Sequence, residues 1–204
     1  VSSSVTVNGG TLLVGTGASG SQLPNSSTVT VSAGLLNLGS IDQTLAIINM
    51  TGGEITGSTG RLFTSQSNFN FANGRVSAIL AGASTGLTQT GTGTVTLANT
   101  NQYGGLTTIA GGNLIADANS NAIPGNVTIS GGTLRLNRSS QIVDSATLNM
   151  TGGTVSFANG QVTETVGTLV MDNGLIGPNA GTPQGTLNAG AFDLRAGRVN
   201  ATLG

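Results

Sequence analysis

The chain has no cysteine, histidine, lysine or tryptophan among its 204 residues. Without cysteine there are no disulfides and no thiolate metal centre. Without histidine there is no imidazole to serve as general base or metal ligand, and no Ser-His-Asp triad can be assembled. All six basic residues are arginines, scattered along the chain. That leaves no basic patch for nucleic acid and nothing to attract an anionic membrane surface. Charged residues make up 6% of the chain, against roughly 25% in an ordinary soluble domain. No apolar run approaches the roughly 20 residues of a membrane-spanning helix, so membrane insertion by this segment is not expected. Aromatic residues make up 3%, with one tyrosine. Disorder needs low hydrophobicity with high net charge. A chain that is 37% hydrophobic with a net charge of −1 is expected to fold.

What is abundant is glycine, 34 residues of it, together with Thr, Ser, Asn and aliphatic side chains. These are arranged in a recurring phrase. It reads VTVNGGTLLV at 5–14, VTVSAGLLNL at 29–38, INMTGGEITG at 48–57 and FNFANGRVSA at 69–78. It returns as TTIAGGNLIA at 107–116, VTISGGTLRL at 127–136, LNMTGGTVSF at 148–157, LVMDNGLIGP at 169–178 and FDLRAGRVNA at 192–201, with TQTGTGTVTL at 88–97 a weaker member. Anchored on Gly10, Gly34, Gly53, Gly74, Gly93, Gly112, Gly132, Gly153, Gly174 and Gly197, the copies lie 19 to 24 residues apart, about 21 on average. Two residues after the anchor the side chain is always aliphatic, from Leu12 and Leu36 through to Val199. Three before it, nine of ten are apolar, Thr90 being the exception, and five before it all but Thr88 and Thr107. Alternation over two short runs split by a small-residue corner is the pattern of two β-strands joined at a bend that needs φ > 0. An arc of 8 to 14 looser residues follows.

One such unit cannot bury its apolar side alone, but stacked units can. The spacing therefore predicts an all-β, right-handed, single-stranded parallel β-helix (β-solenoid). It would have about ten coils of roughly 21 residues, each adding about 4.8 Å. The segment 1–204 reads as a single solenoid piece of a longer repeat protein. Stacking also makes a test of the charges. Asp42 and Arg61, Glu54 and Arg75, and Asp172 and Arg195 occupy equal offsets on consecutive coils, and each pair is predicted to lie side by side.

The segment LTQTGTGTVTLANTNQYGGLTTIAGGNLIADANSNAIPGN (87–126) resembles the autotransporter-associated β-strand repeat. Leu87, Gly91, Gly93, Leu97, Asn101, Tyr103, Gly105, Thr107, Ile109, Gly112 and Leu114 fill the hallmark places, and the likeness is clearest over 87–136. The resemblance implies a pectin-lyase-like right-handed β-helix in the passenger of a bacterial surface protein, where the repeat aids folding and export.

No catalytic, cofactor-binding or metal-binding residues are expected, and no cofactor. The seven acids fall at seven different offsets from their anchors, and only Asp144 and Glu164 could meet, where a solvated surface is the simpler reading. Gly91-Thr92-Gly93 has no lysine after it and is not a phosphate loop. TQTGTGTVT (88–96) has Thr-x-Thr at irregular offsets, so a flat ice-binding array is not expected. The sequons at Asn25, Asn49, Asn126, Asn137, Asn149 and Asn200 arise readily in so Asn- and Thr-rich a chain. The expected function is a non-catalytic structural solenoid, secreted or on a bacterial cell surface, as a stalk or adhesin. The alternatives are a fibre subunit that pairs with itself by end-to-end coil stacking, starting just ahead of a coil at Val1, and a β-helix that binds or cleaves carbohydrate. The partners are then the chain itself or host or cell-surface glycans, and not nucleic acid.

Overall fold

A computed structural model describes residues 3–15, 22–177 and 185–204; Val1, named in the fibre alternative, and Pro178, which closes the phrase at 169–178, lie outside them. The described residues are all-β, with 21 strands and no helix. All strand pairings are parallel, and the strands stack as a β-solenoid of about nine turns with spacing near 21 residues. Ten anchored phrases had suggested about ten coils; the stack makes about nine full turns.

Each coil runs through one strand, turns at the glycine corner, runs through a second strand and closes by an arc. Seventeen strands hydrogen-bond into one sheet that folds around the corners. Four short ones, Gln43–Leu45, Arg61–Thr64, Ile79–Gly82 and Gln102–Tyr103, form a third face along part of the arc.

The apolar positions form columns because pairing is in register and alternate side chains share a face. On the first strand one interior column runs Val7, Val31, Met50, Phe71, Gln89, Ile109, Ile129, Met150, Met171, Leu194. All of these except the last are buried. The outward position between two interior columns holds Thr6, Thr30, Asn49, Asn70, Thr88, Thr108, Thr128 and Asn149 in eight successive coils.

The corner explains the glycines. Of the ten anchors, all but Gly93 have positive φ, between 61° and 129°. At Gly132 (φ +64°) a Cβ would sit 2.5 Å from the Gly112 carbonyl oxygen of the coil beneath. The corner therefore demands both the backbone conformation and the lack of a side chain.

Gly93 is the exception because the weak coil does not align as its glycine suggests. Beyond the corner, Leu12, Leu36, Ile55 and Val76 stack in order, but Val76 then meets Leu97, while Val95 lies over Gly74. From there two columns continue: Leu97 to Ala116, Leu136 and Phe157, and Val95 to Leu114, Leu134, Val155 and Ile176. The slip is two residues, so the same face stays inward; a slip of one would have turned it out. Before the corner, Gln89 and Leu87, not Thr90 and Thr88, occupy the interior positions. Gln89 is fully buried in an otherwise apolar column. Its Nε2 donates to the carbonyls of Ala72 (3.2 Å) and Gly93 (3.3 Å), while its Oε1 finds no protein partner. The amide thus tethers the enlarged corner that the slip requires.

Candidate functional site

The acids are the natural place to look for chemistry on this fold. Five of the seven are held by arginine. Asp42 grips Arg61, whose guanidinium also lies 5.2 Å from the Phe63 ring centre. Glu54 lies 3.4 Å from Arg75 and Asp172 lies 3.1 Å from Arg195, so all three equal-offset pairs stand side by side. Arg195 also takes Asp193 at 2.6 Å. A further pair, Asp117 with Arg138 at 3.1 Å, escaped the offset test because their offsets from Gly112 and Gly132 differ by one. The side-chain hydrogen bond from Arg61 holds the Asp42 carboxyl below its usual range.

The two remaining acids are Asp144 and Glu164. The expected solvated pair is corrected in half: Asp144 is exposed, but Glu164 is fully buried. Glu164 lies in Thr163–Ile176, in the arc before that coil's first interior column. Its two oxygens accept the backbone amides of the preceding coil, Gln141 N at 2.7 Å and Ile142 N at 3.0 Å. Burial pushes its carboxyl up to about 7 against the pull of these amides, and the like charge of Asp144 adds to the rise. With both oxygens engaged by backbone inside the stack, Glu164 acts as a clamp between coils.

Glu164 is one of a set. Gln141 Oε1 accepts Ala118 N (2.8 Å), and its Nε2 donates to the carbonyls of Ala118 and Ser139, both at 3.0 Å. Asn101 Oδ1 accepts Leu80 N (2.9 Å), and its Nδ2 donates to Ala122 O (2.8 Å). Gln43 Oε1 accepts Leu23 N (2.9 Å), and its Nε2 donates to Leu23 O (3.0 Å). All four side chains are buried. The sequence reading missed this set because each member is a single polar residue in an arc of variable length. Only the motif around Asn101 carried a signal.

That motif is structural wherever it can be followed. Asn101 clips together the coils on either side. Tyr103 is fully buried, and its hydroxyl pairs with Thr107 Oγ1 at 2.8 Å, a residue that breaks the apolar run of its column. Gly105 lets the backbone of Thr85 and Gly86 approach to where a Cβ would be 2.6 Å away. No family model, curated protein or solved structure matches the chain.

A shallow depression of about 190 Å³ lies over the outward side chains Asn113, Ile115, Thr133, Arg135 and Ser156, and a second of about 210 Å³ lies beside Leu194 and Arg195 on the last coil. No acid lines either. Among the described residues, no group of three or more acids is placed to hold a metal ion.

Proposed function

We propose that this chain is a non-catalytic structural solenoid, a stalk or spacer of a secreted or surface-exposed bacterial protein, similar to the autotransporter passengers that its 87–136 segment resembles. The observation that carries this reading is what the acids are used for. Five are spent on ion pairs with arginine and a sixth on clamping backbone, in a rod whose interior is continuous from coil to coil. Such a rod keeps its ends a fixed distance apart, which is the mechanical property a stalk needs.

Two measurements test it. Antibody against the chain should label intact cells of the source organism; labelling only after permeabilisation overturns the location. The purified chain should release no reducing ends from acidic or neutral polysaccharides. Release that disappears in Asp144→Ala moves the chain to the carbohydrate-cleaving reading.

A further inference from the structure

We propose that the outward face of the first strands is a binding surface for an uncharged, extended polysaccharide lying lengthwise along the rod. The surface is the Thr and Asn column that runs from Thr6 to Thr128 without interruption over seven coils; Asn149 continues the register in the eighth with its Oδ1 buried. Thr6 and Asn70 are exposed and the other members partly exposed, and from Thr30 onward each lies between two buried neighbours, as Thr108 does between Thr107 and Ile109. The column also passes through the two-residue slip, which is confined to the far side of the corner. Thr88 pairs with Asn70 on one side and Thr108 on the other with no shift.

Three properties select the partner. The first is charge. The ion pairs lie on the arc, on the second-strand face or at the last coils, and Asp193 in the last coil is the one charged residue in register with the column. A charged partner finds no counter-charge here, whereas hydroxyl and amide groups donate to and accept from neutral hydroxyls alike. The second is spacing: one such group every 4.8 Å or so along a rigid axis suits a polymer of hydroxyl-bearing units in extended form. Each contact is weak, but many made in one registry sum, and a preformed rigid surface loses little entropy in making them. The third is dimensionality. A crystal face such as ice needs a two-dimensional grid. The neighbouring outward positions include partly exposed Ile47 and half-exposed Leu106, which break one. A single chain needs only one column.

This inference is independent of the stalk reading. The test is co-sedimentation of the chain with insoluble cellulose, xylan, mannan and chitin, with pectate and heparin beads as charged controls. Depletion by at least one neutral polymer is expected, unchanged by high salt. A Thr88→Glu/Thr108→Glu variant should bind roughly tenfold more weakly, while Thr96→Glu on the second-strand face should bind as the parent does. Equal melting temperatures for the three proteins separate loss of binding from loss of fold. Retention on none of the neutral polymers overturns the proposal. So does equal retention of the double variant, release by salt, or retention on the charged beads alone. Ice shaping, or a dimer that the double variant dissolves, would assign the face to a crystal or to a second copy instead.

Discussion

The strands beside the corner and the arc that closes each coil are drawn from the same residues, yet different physics holds them. Beside the corner, the strands pair in parallel with the coils above and below, and aliphatic side chains fall into columns that need only be the right size. In the arc, lengths vary and backbone amides are left facing the interior. There, buried Gln43, Asn101, Gln141 and Glu164 supply the missing acceptors and donors. A periodic stack satisfies its own backbone; an aperiodic segment must spend polar side chains on it, because an orphaned buried N–H costs about as much as a lost hydrogen bond.

The contrast breaks first in the columns. Phe71→Ala empties a fully buried position stacked between Met50 and Gln89. It should cost about 3–5 kcal/mol, the usual range for an aromatic-to-alanine cavity, read from urea unfolding. A loss below about 1 kcal/mol would mean that the column is not packed as described.

The arc responds to pH where the columns cannot. Burial lifts the Glu164 carboxyl from an ordinary 4.5 to about 7. A raised acid binds its proton more tightly in the folded chain. Its contribution to stability is therefore complete below about pH 4.5 and is lost as pH rises through about 7. The difference corresponds to about 3 kcal/mol. The melting temperature should fall between pH 5 and pH 8, a window in which Asp42, held low by Arg61, stays ionised. Glu164→Gln should flatten that fall. A melting temperature that rises across the window, or a wild-type slope retained in the variant, defeats the account.

The same contrast decides what could be read from the sequence. The columns were legible because they repeat: Leu36, Ile55 and Val76 announce themselves by spacing. The ion pairs of Asp42, Glu54 and Asp172 followed from that spacing by arithmetic. The weak coil misled the reading because Gly93 looks like a corner glycine yet lacks the positive φ of the other nine. The true register is set by Leu87 and Gln89, and a glutamine in an apolar column has no period to betray it. Glu164 looked like a surface acid because burial in an arc depends on which backbone amides happen to need an acceptor. That is fixed by the three-dimensional path of the preceding coil, not by the residue's neighbours in sequence.

Asn101 sharpens the distinction between a motif kept for chemistry and one kept for folding. Asn101→Ala strands Leu80 N and Ala122 O, at an expected cost of about 2 kcal/mol. Asn101→Asp keeps the acceptor for Leu80 and loses only the donor to Ala122, at the price of a buried charge. If the motif serves the fold, both variants lower the melting temperature, and hydrogen exchange speeds up first at Leu80. Full stability in Asn101→Ala would leave Asn101 without the clamping role assigned to it.

The surface pairs should matter least. Glu54 and Arg75 sit in register on adjacent strands at 3.4 Å, but both side chains are more than a third exposed. Water and salt then screen the attraction, and a double-mutant cycle with Glu54→Ala and Arg75→Ala should give a coupling of about 0–1 kcal/mol that fades at high salt. Ser77 Oγ also donates to Glu54 (2.8 Å), so Glu54→Ala alone should cost more than Arg75→Ala alone. The reverse order would mean that the arginine stem, lying over its neighbours, contributes more than the pair. A coupling well above 1 kcal/mol would show that register on this face is held by charge as well as by the columns beneath it.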